Sequence, residues 1–289
     1  MTLRPYRSVL YIPGSRARAL DKARTMPVDS IIFDLEDAVA LEEKASARAT
    51  LVAHLLEGEY GPRSQIIRIN GLHTPWAAED IAAIAEVRPE AVLLPKVDNA
   101  QMIAELGALM DRHEGFENTQ IWAMMETPRG ILNAAEIADA PWMEGMVMGT
   151  NDLAKELQCR FRADRLPMLT SLQLCLLAAK AEGLVIVDGV YNAFKDDDGL
   201  ALECEQGRDM GFDGKTLIHP AQVAVTNTAF APSDAEIDLA NRQIAAFEAA
   251  KADGQGVAVV DGRIVENLHV ASAGEILAKA KAIDALAKE

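Results

Sequence analysis

The chain has 289 residues, half of them apolar and a quarter charged, with a formal net charge of −16. That length suits one large α/β domain or two ordinary ones, and the charge argues against nucleic acid or an anionic membrane as partner. No apolar run approaches the roughly 18 residues of a membrane span, and the first stretch stops at Pro13 and Gly14, too early for a signal-peptide core. Three cysteines without CxxC spacing, Cys159, Cys175 and Cys204, point to reduced thiols in a cytoplasm.

The chain opens on a basic island in an acidic protein. Residues 1–24 carry Arg4, Arg7, Arg16, Arg18, Lys22 and Arg24 against the single acid Asp21. Short β-rich runs then alternate with helical patterns. The runs fall at 8–13 (SVLYIP), 30–35 (SIIFDL), 65–70 (QIIRIN), 91–97 (AVLLPKV), 120–126 (QIWAMME), 145–149 (GMVMG), 184–190 (LVIVDGV) and 215–220 (KTLIHP). Helix-type spacing and start signals occupy 15–25, 44–57, 75–87, 99–113, 128–138, 169–182 and 198–210. Alternation of this kind implies right-handed crossovers and a parallel sheet covered on both sides. Eight such units close into a barrel, so the expected fold is an α/β (β/α)₈ TIM barrel over residues 1–231.

After the eighth run the pattern changes, and residues 232–289 read as a C-terminal helix–hairpin–helix extension. A helix over 233–251 leads to Asp261-Gly262 between two β-rich runs, a strong hairpin signal, and a last helix is expected over 273–288.

In a barrel of this kind chemistry sits at the C-terminal strand ends. Asp34, Glu36 and Asp37 end the second run, Arg68 and Asn70 the third, Lys96 the fourth, Glu126 the fifth and Asp188 the seventh, while Asn151 and Asp152 follow the sixth. Neighbouring strands lie about 4.8 Å apart, so Glu126 and Asp152 would repel each other unless a cation sat between them. Few hard oxygen ligands, completed by water and substrate, describe a Mg²⁺ site, with Mn²⁺ as the alternative ion. The other reading makes them surface ion-pair partners, with Asp152 as a helix N-cap. Asp34, Glu36 and Asp37 either contact metal-bound water or pair with the basic island. The planar fork of Arg68 suits a carboxylate or keto oxygen, and a structural pair with Glu36 or Asp37 is the alternative. Gly14 and Ser15 open a helix beside Arg16 and Arg18, where an anion such as a phosphate would be favoured. His219 before Pro220 reads as a packing or hydrogen-bonding residue. There is no GxSxG, P-loop or dinucleotide fingerprint.

The motifs RSVLYIPGS, FDLEDAV, RIN, LPKV, METPRGILN, GTNDLA and GKTLIHPAQV occur in that order over residues 6–270. Together they resemble the HpcH/HpaI aldolase family, which contains the citrate lyase β-subunit, malyl-CoA lyase and a malyl-CoA thioesterase. The resemblance implies that Glu126 and Asp152 hold Mg²⁺, that Arg68 holds the 2-keto acid or the matching end of the hydroxyacid, and that CoA lies near Arg16 and Arg18. Glu36, Asp37 and Lys96 complete the expected substrate-binding set. It further implies a homo-trimer or hexamer whose C-terminal segment covers a neighbour's active site. Members use an Asp in a DG..(I/V)D motif as the acid–base residue; this chain reads DGRIVE, placing Glu266 there. The extra methylene alters the geometry of a preorganised site.

Two outcomes of one pocket follow. Retro-Claisen cleavage of a malyl-CoA-class thioester would give acetyl-CoA and glyoxylate or another 2-keto acid; hydrolysis would give malate and CoA. Cleavage is placed slightly ahead, because the metal pair and Arg68 suit an alkoxide at C3. Readings of another kind are a non-catalytic acyl-CoA-binding barrel and a CoA-independent aldolase.

Overall fold

The computed structural model describes residues 4–286. The chain divides into two compact units, Tyr6–Ala229 and a second built mainly from Phe230 onward. The first holds β1 (Ser8–Pro13), β2 (Ser30–Asp34), β3 (Ser64–Arg68), β4 (Ala91–Leu94), β5 (Gln120–Met125), β6 (Met143–Met148), β7 (Val185–Asp188) and β8 (Gly214–Leu217). Each pairs in parallel with the next, and Val9 of β1 against Thr216 of β8 closes the ring. The expected (β/α)₈ barrel is what the chain forms.

Helices cover the strands, and Lys44–Glu57 lies where its spacing puts it. The 128–138 pattern is not one helix. It divides at Asn133 into Pro128–Leu132 and Ala134–Ala138, and the Asn133 side-chain amide donates to the Asp98 carbonyl at 2.8 Å. Val223–Phe230, a helix after β8, has no counterpart in the sequence reading.

Alternation decides which residues fill the cylinder. Val9, Ile32, Ile66, Leu93, Trp122, Val147 and Val187 form its buried centre. Trp122, the largest of them, lies opposite Gly145 on β6. A Cβ on Gly145 would come within 2.5 Å of the indole, so the missing side chain makes room for the ring.

Counting two residues onward from the centre reaches Tyr11, Asp34, Arg68 and Met124, which face the barrel mouth. Asp188, one residue past Val187, has the opposite parity and turns outward. Its carboxylate accepts Arg165 Nη1 at 2.6 Å and Lys215 Nζ at 3.1 Å, and Lys215 reaches Glu203 at 2.6 Å. Burial works against ionisation of Asp188, but Lys215 and Arg165 outweigh it and hold the carboxyl below its ordinary range. As a strand-end candidate for chemistry Asp188 is therefore corrected to a structural anchor between sheet and helices. Cys175 and Cys204 are buried, and burial pushes their thiols up to about 12 and about 11, which suits packing.

The second unit contains the helix Asp234–Ala252, capped by Ser233 and Glu236, then β9 (Ala258–Val260) and β10 (Arg263–Val265). Asp261 and Gly262 turn this hairpin in the left-handed region, at φ 51° and 74°. Phe247, Ala258 and Val265 form a small core. The last helix is Asn267–Leu286. It starts at 267, not 273, because the Glu266 carbonyl accepts the amides of His269 and Val270 at 2.9 and 3.2 Å. Residues 1–3 of the expected barrel segment and 287–289 of the extension, including the end of the last predicted helix, lie outside the described residues. Among the described residues no helix is long and apolar enough to cross a membrane.

Asp188→Ala is expected to cost about 3–5 kcal/mol, because it leaves two buried cations, Arg165 and Lys215, to share the single carboxylate of Glu203. A urea midpoint unchanged from the parent protein would refute that account.

Candidate active site

Four adjacent strands deliver one connected set of charges to the mouth. Asp34 ends β2 fully buried and Arg68 ends β3 beside it. Arg68 Nε donates to Asp34 Oδ1 at 2.8 Å, Nη2 donates to Oδ2 at 2.5 Å, and Nη1 lies 3.0 Å from Glu36 Oε2. Its guanidinium also sits 5.0 Å from the Tyr11 ring centroid. Burial opposes its charge, and Asp34 with Glu36 overrides burial, raising Arg68 well above its ordinary value.

Glu36 is held on its other side by Lys96 Nζ at 2.6 Å, with Asp37 at 3.8 Å from the same ammonium. The acids pair with Arg68 and Lys96 and not with the basic island, whose Arg24 is occupied by Glu57 at 2.7 Å. The main partner of Arg68 is Asp34, Glu36 is second, and Asp37 is not among its partners. Asp34 so engages the Nε–Nη2 side of the guanidinium, and the outer N–H of Nη2 remains beside Nη1.

Lys96 is a left-handed residue, φ 53°, a conformation that costs roughly 1–2 kcal/mol for an L-residue. In that conformation its backbone N–H donates to Glu126 Oε1 at 2.8 Å. Glu126 has the parity of Met124, is fully buried, and its second oxygen, Oε2, has no hydrogen-bond partner. A Cβ on Gly149, at the start of the loop after β6, would collide with the Glu126 side chain, so glycine there gives the carboxylate its seat. Asp152 stands in the first turn of Thr150–Leu157, whose N-cap position is Gly149, so the N-cap alternative for Asp152 is not what forms. It makes no ion pair among the described residues.

Burial pushes the Glu126 carboxyl up to about 8; Lys96 and Arg68 oppose this, and Asp152 and Glu36 add to it. The surroundings disfavour the bare anion by roughly 5 kcal/mol relative to water, so the site requires a proton or a cation. An unpartnered buried oxygen with a second carboxylate close enough to be felt fits a hard divalent ion. No three His, Cys, Asp or Glu side chains converge on a metal position among the described residues. Two carboxylates with water and substrate completing the shell is the Mg²⁺ pattern.

The remaining candidates make no hydrogen bond or ion pair to this set among the described residues. Arg16 and Arg18 are exposed on the first turn and make no ion pair among the described residues, but Ala17–Ala23 is only a seven-residue helix. His219 caps the turn at Pro220 and stacks on Phe194 at 4.6 Å, as a hydrogen-bonding and packing residue. Glu266 is exposed in the second unit and precedes its last helix. Sequence reasoning missed Lys44, which is buried and donates to the Leu35 and Glu36 carbonyls at 2.9 and 2.7 Å, fixing the acidic loop from behind. It read as an ordinary helix start. Tyr11 could have been found from its parity with Val9.

A (β/α)₈ barrel with an acid pair at the ends of adjacent strands and paired cations beside it belongs to the class of metal-assisted barrel enzymes. The chain belongs to the HpcH/HpaI aldolase/citrate lyase family, whose model matches residues 7–220. It is 61% identical over 281 residues to the (3S)-malyl-CoA thioesterase of Cereibacter sphaeroides, covering 97% of this chain and 96% of that protein. It is 35% identical to the citrate lyase β-subunit of Leuconostoc mesenteroides, covering 96% and 93%. A solved structure of CitE from Mycobacterium tuberculosis, in complex with magnesium, acetoacetate and coenzyme A, matches 96% of this chain and 100% of that one. Its TM-score is 0.81 and its identity 32%.

If Glu126 carries a proton that a divalent ion displaces, Mg²⁺ binding at pH 7 should release about 0.9 proton, falling to about 0.1 at pH 9, from a carboxyl of about 8. Calorimetry in buffers of different ionisation enthalpy measures this. Release that does not change with pH would exclude Glu126 as the displaced acid.

Proposed function

We propose that this chain is a Mg²⁺-dependent enzyme acting on malyl-CoA-class thioesters and that its physiological reaction is hydrolysis to malate and CoA. The observation that carries the reading is the unpartnered buried oxygen of Glu126 beside Asp152. The 61% identity to a (3S)-malyl-CoA thioesterase supports hydrolysis over carbon–carbon cleavage, reversing the order read from the sequence. Retro-Claisen cleavage is the second reading, supported by the citrate lyase relative and by the CitE complex with acetoacetate and coenzyme A.

In this reading Glu126 and Asp152 hold the metal, which when bound supplies a Lewis acid that polarises a substrate oxygen and fixes its orientation. The left-handed turn at Lys96 aims Glu126, engaging Oε1 and leaving Oε2 for the ion. Arg68 meets the malyl carboxylate through Nη1. Lys96 acts through Glu36 and Glu126. Both oxygens of Glu36 are taken, so it orders these cations and does not itself bind an anionic substrate; Asp37 contributes charge to Lys96. Arg16 and Arg18, exposed and uncommitted, take the phosphates of CoA. Glu266, brought by the C-terminal segment of a neighbouring subunit in a homo-trimer or hexamer, removes a proton from the water that attacks the thioester carbonyl; the C–S bond breaks and that proton passes to the departing thiolate, so that CoA leaves as the thiol.

Free thiol and glyoxylate assayed together from malyl-CoA separate the readings: thiol without glyoxylate supports hydrolysis, glyoxylate with acetyl-CoA supports cleavage, and neither above background removes both. Glu126→Ala and Asp152→Ala should each abolish turnover with loss of bound Mn²⁺; activity surviving in chelator-treated protein would overturn the metal assignment.

Glu266→Gln should slow turnover by about tenfold or more while metal affinity stays the same. An unchanged rate would remove Glu266 from the chemistry.

A further inference from the structure

We propose that Asp34 is the positioning residue of this site, holding the Nε side of Arg68 so that its terminal Nη edge alone meets the ligand, and fixing the acidic loop in the same act. This rests on the reading that Arg68 meets the substrate's carboxylate. Asp34 is fully buried, and its two oxygens accept four hydrogen bonds. Oδ1 takes Arg68 Nε at 2.8 Å and the Glu36 amide at 2.8 Å; Oδ2 takes Arg68 Nη2 at 2.5 Å and the Ala38 amide at 3.2 Å.

Nε and one N–H of Nη2 are thereby spent, and the guanidinium lies 5.0 Å from the Tyr11 ring centroid. The outer N–H of Nη2 remains beside Nη1, which lies 3.0 Å from Glu36 Oε2 and 3.6 Å from Met124 Sδ. Glu36 stands where a ligand carboxylate would, and Lys96 at 2.6 Å retains it when the ligand takes Nη1. The site therefore receives a carboxylate at the terminal Nη edge alone. A free guanidinium would also accept the same group across Nε and Nη2 and orient it differently.

Asp34→Asn keeps the size but loses the charge, and its NH₂ group must face two donors, either Arg68 Nη2 with the Ala38 amide or Arg68 Nε with the Glu36 amide. Its KM for malyl-CoA should rise about tenfold with kcat within about threefold, and its Mn²⁺ affinity should stay within about twofold, since Glu126 and Asp152 are untouched. In the Arg68→Lys background the same change should cost no further loss beyond about twofold, because both substitutions remove one interaction. Multiplying losses, or an Asp34→Asn enzyme with kcat/KM within twofold of the parent, would overturn the proposal.

If Asp34→Asn does not fold, the wild-type chain decides by ¹⁵N side-chain spectra. Malate added with Mg²⁺ should shift the Arg68 Nη1 signal and leave Nε in place; shifts at both, or at neither, overturn it. Wild-type protein that shows this shift but releases no thiol from malyl-CoA would sink the thioesterase reading and leave the role of Asp34 intact.

Discussion

Closing eight parallel strands into a cylinder forces charged residues at their ends to share a volume from which water is largely excluded. Everything at the mouth answers to that constraint. A buried charge is costly unless paired, and here the pairing can be followed strand by strand: Asp34 with Arg68, Arg68 and Lys96 with Glu36. The chain of pairs stops at Glu126, which receives one backbone N–H and keeps one bare oxygen. With the protein's own cations already committed, the charge left at Glu126 and Asp152 is what the proposed divalent ion would neutralise.

The same constraint explains the strained backbone at Lys96. A left-handed lysine is unfavourable by itself, but in that conformation one residue directs its amide to Glu126 and its ammonium to Glu36. Rigid placement of a ligand carboxylate matters more than its intrinsic affinity, because displacement of about an ångström in a preorganised site can cost two orders of magnitude in rate. Gly149 and the buried Lys44 serve that placement too, one by yielding space and the other by anchoring the loop that carries Glu36.

The outward charges have a different purpose. Asp188, Arg165, Lys215 and Glu203 form a closed group between sheet and helices. Asp188 and Lys215 differ from the mouth residues by one position of strand parity, and that single step separates a residue that faces the mouth from one that supports the wall.

The sequence by itself determined the barrel, through eight β-rich runs spaced by helical patterns, and it marked Glu126, Asp152 and Arg68, since charge at the end of an apolar run is visible without coordinates. It also carried the family, in seven ordered motifs. Tertiary structure alone decided who pairs with whom. The Asp34 partnership with Arg68 is 34 residues away along the chain and depends on β2–β3 register; the link from Lys96 to Glu126 depends on a dihedral that no composition predicts. Local pattern fixes which face a side chain takes, but the distances between charges arise only when the cylinder closes, and the chemistry depends on those distances.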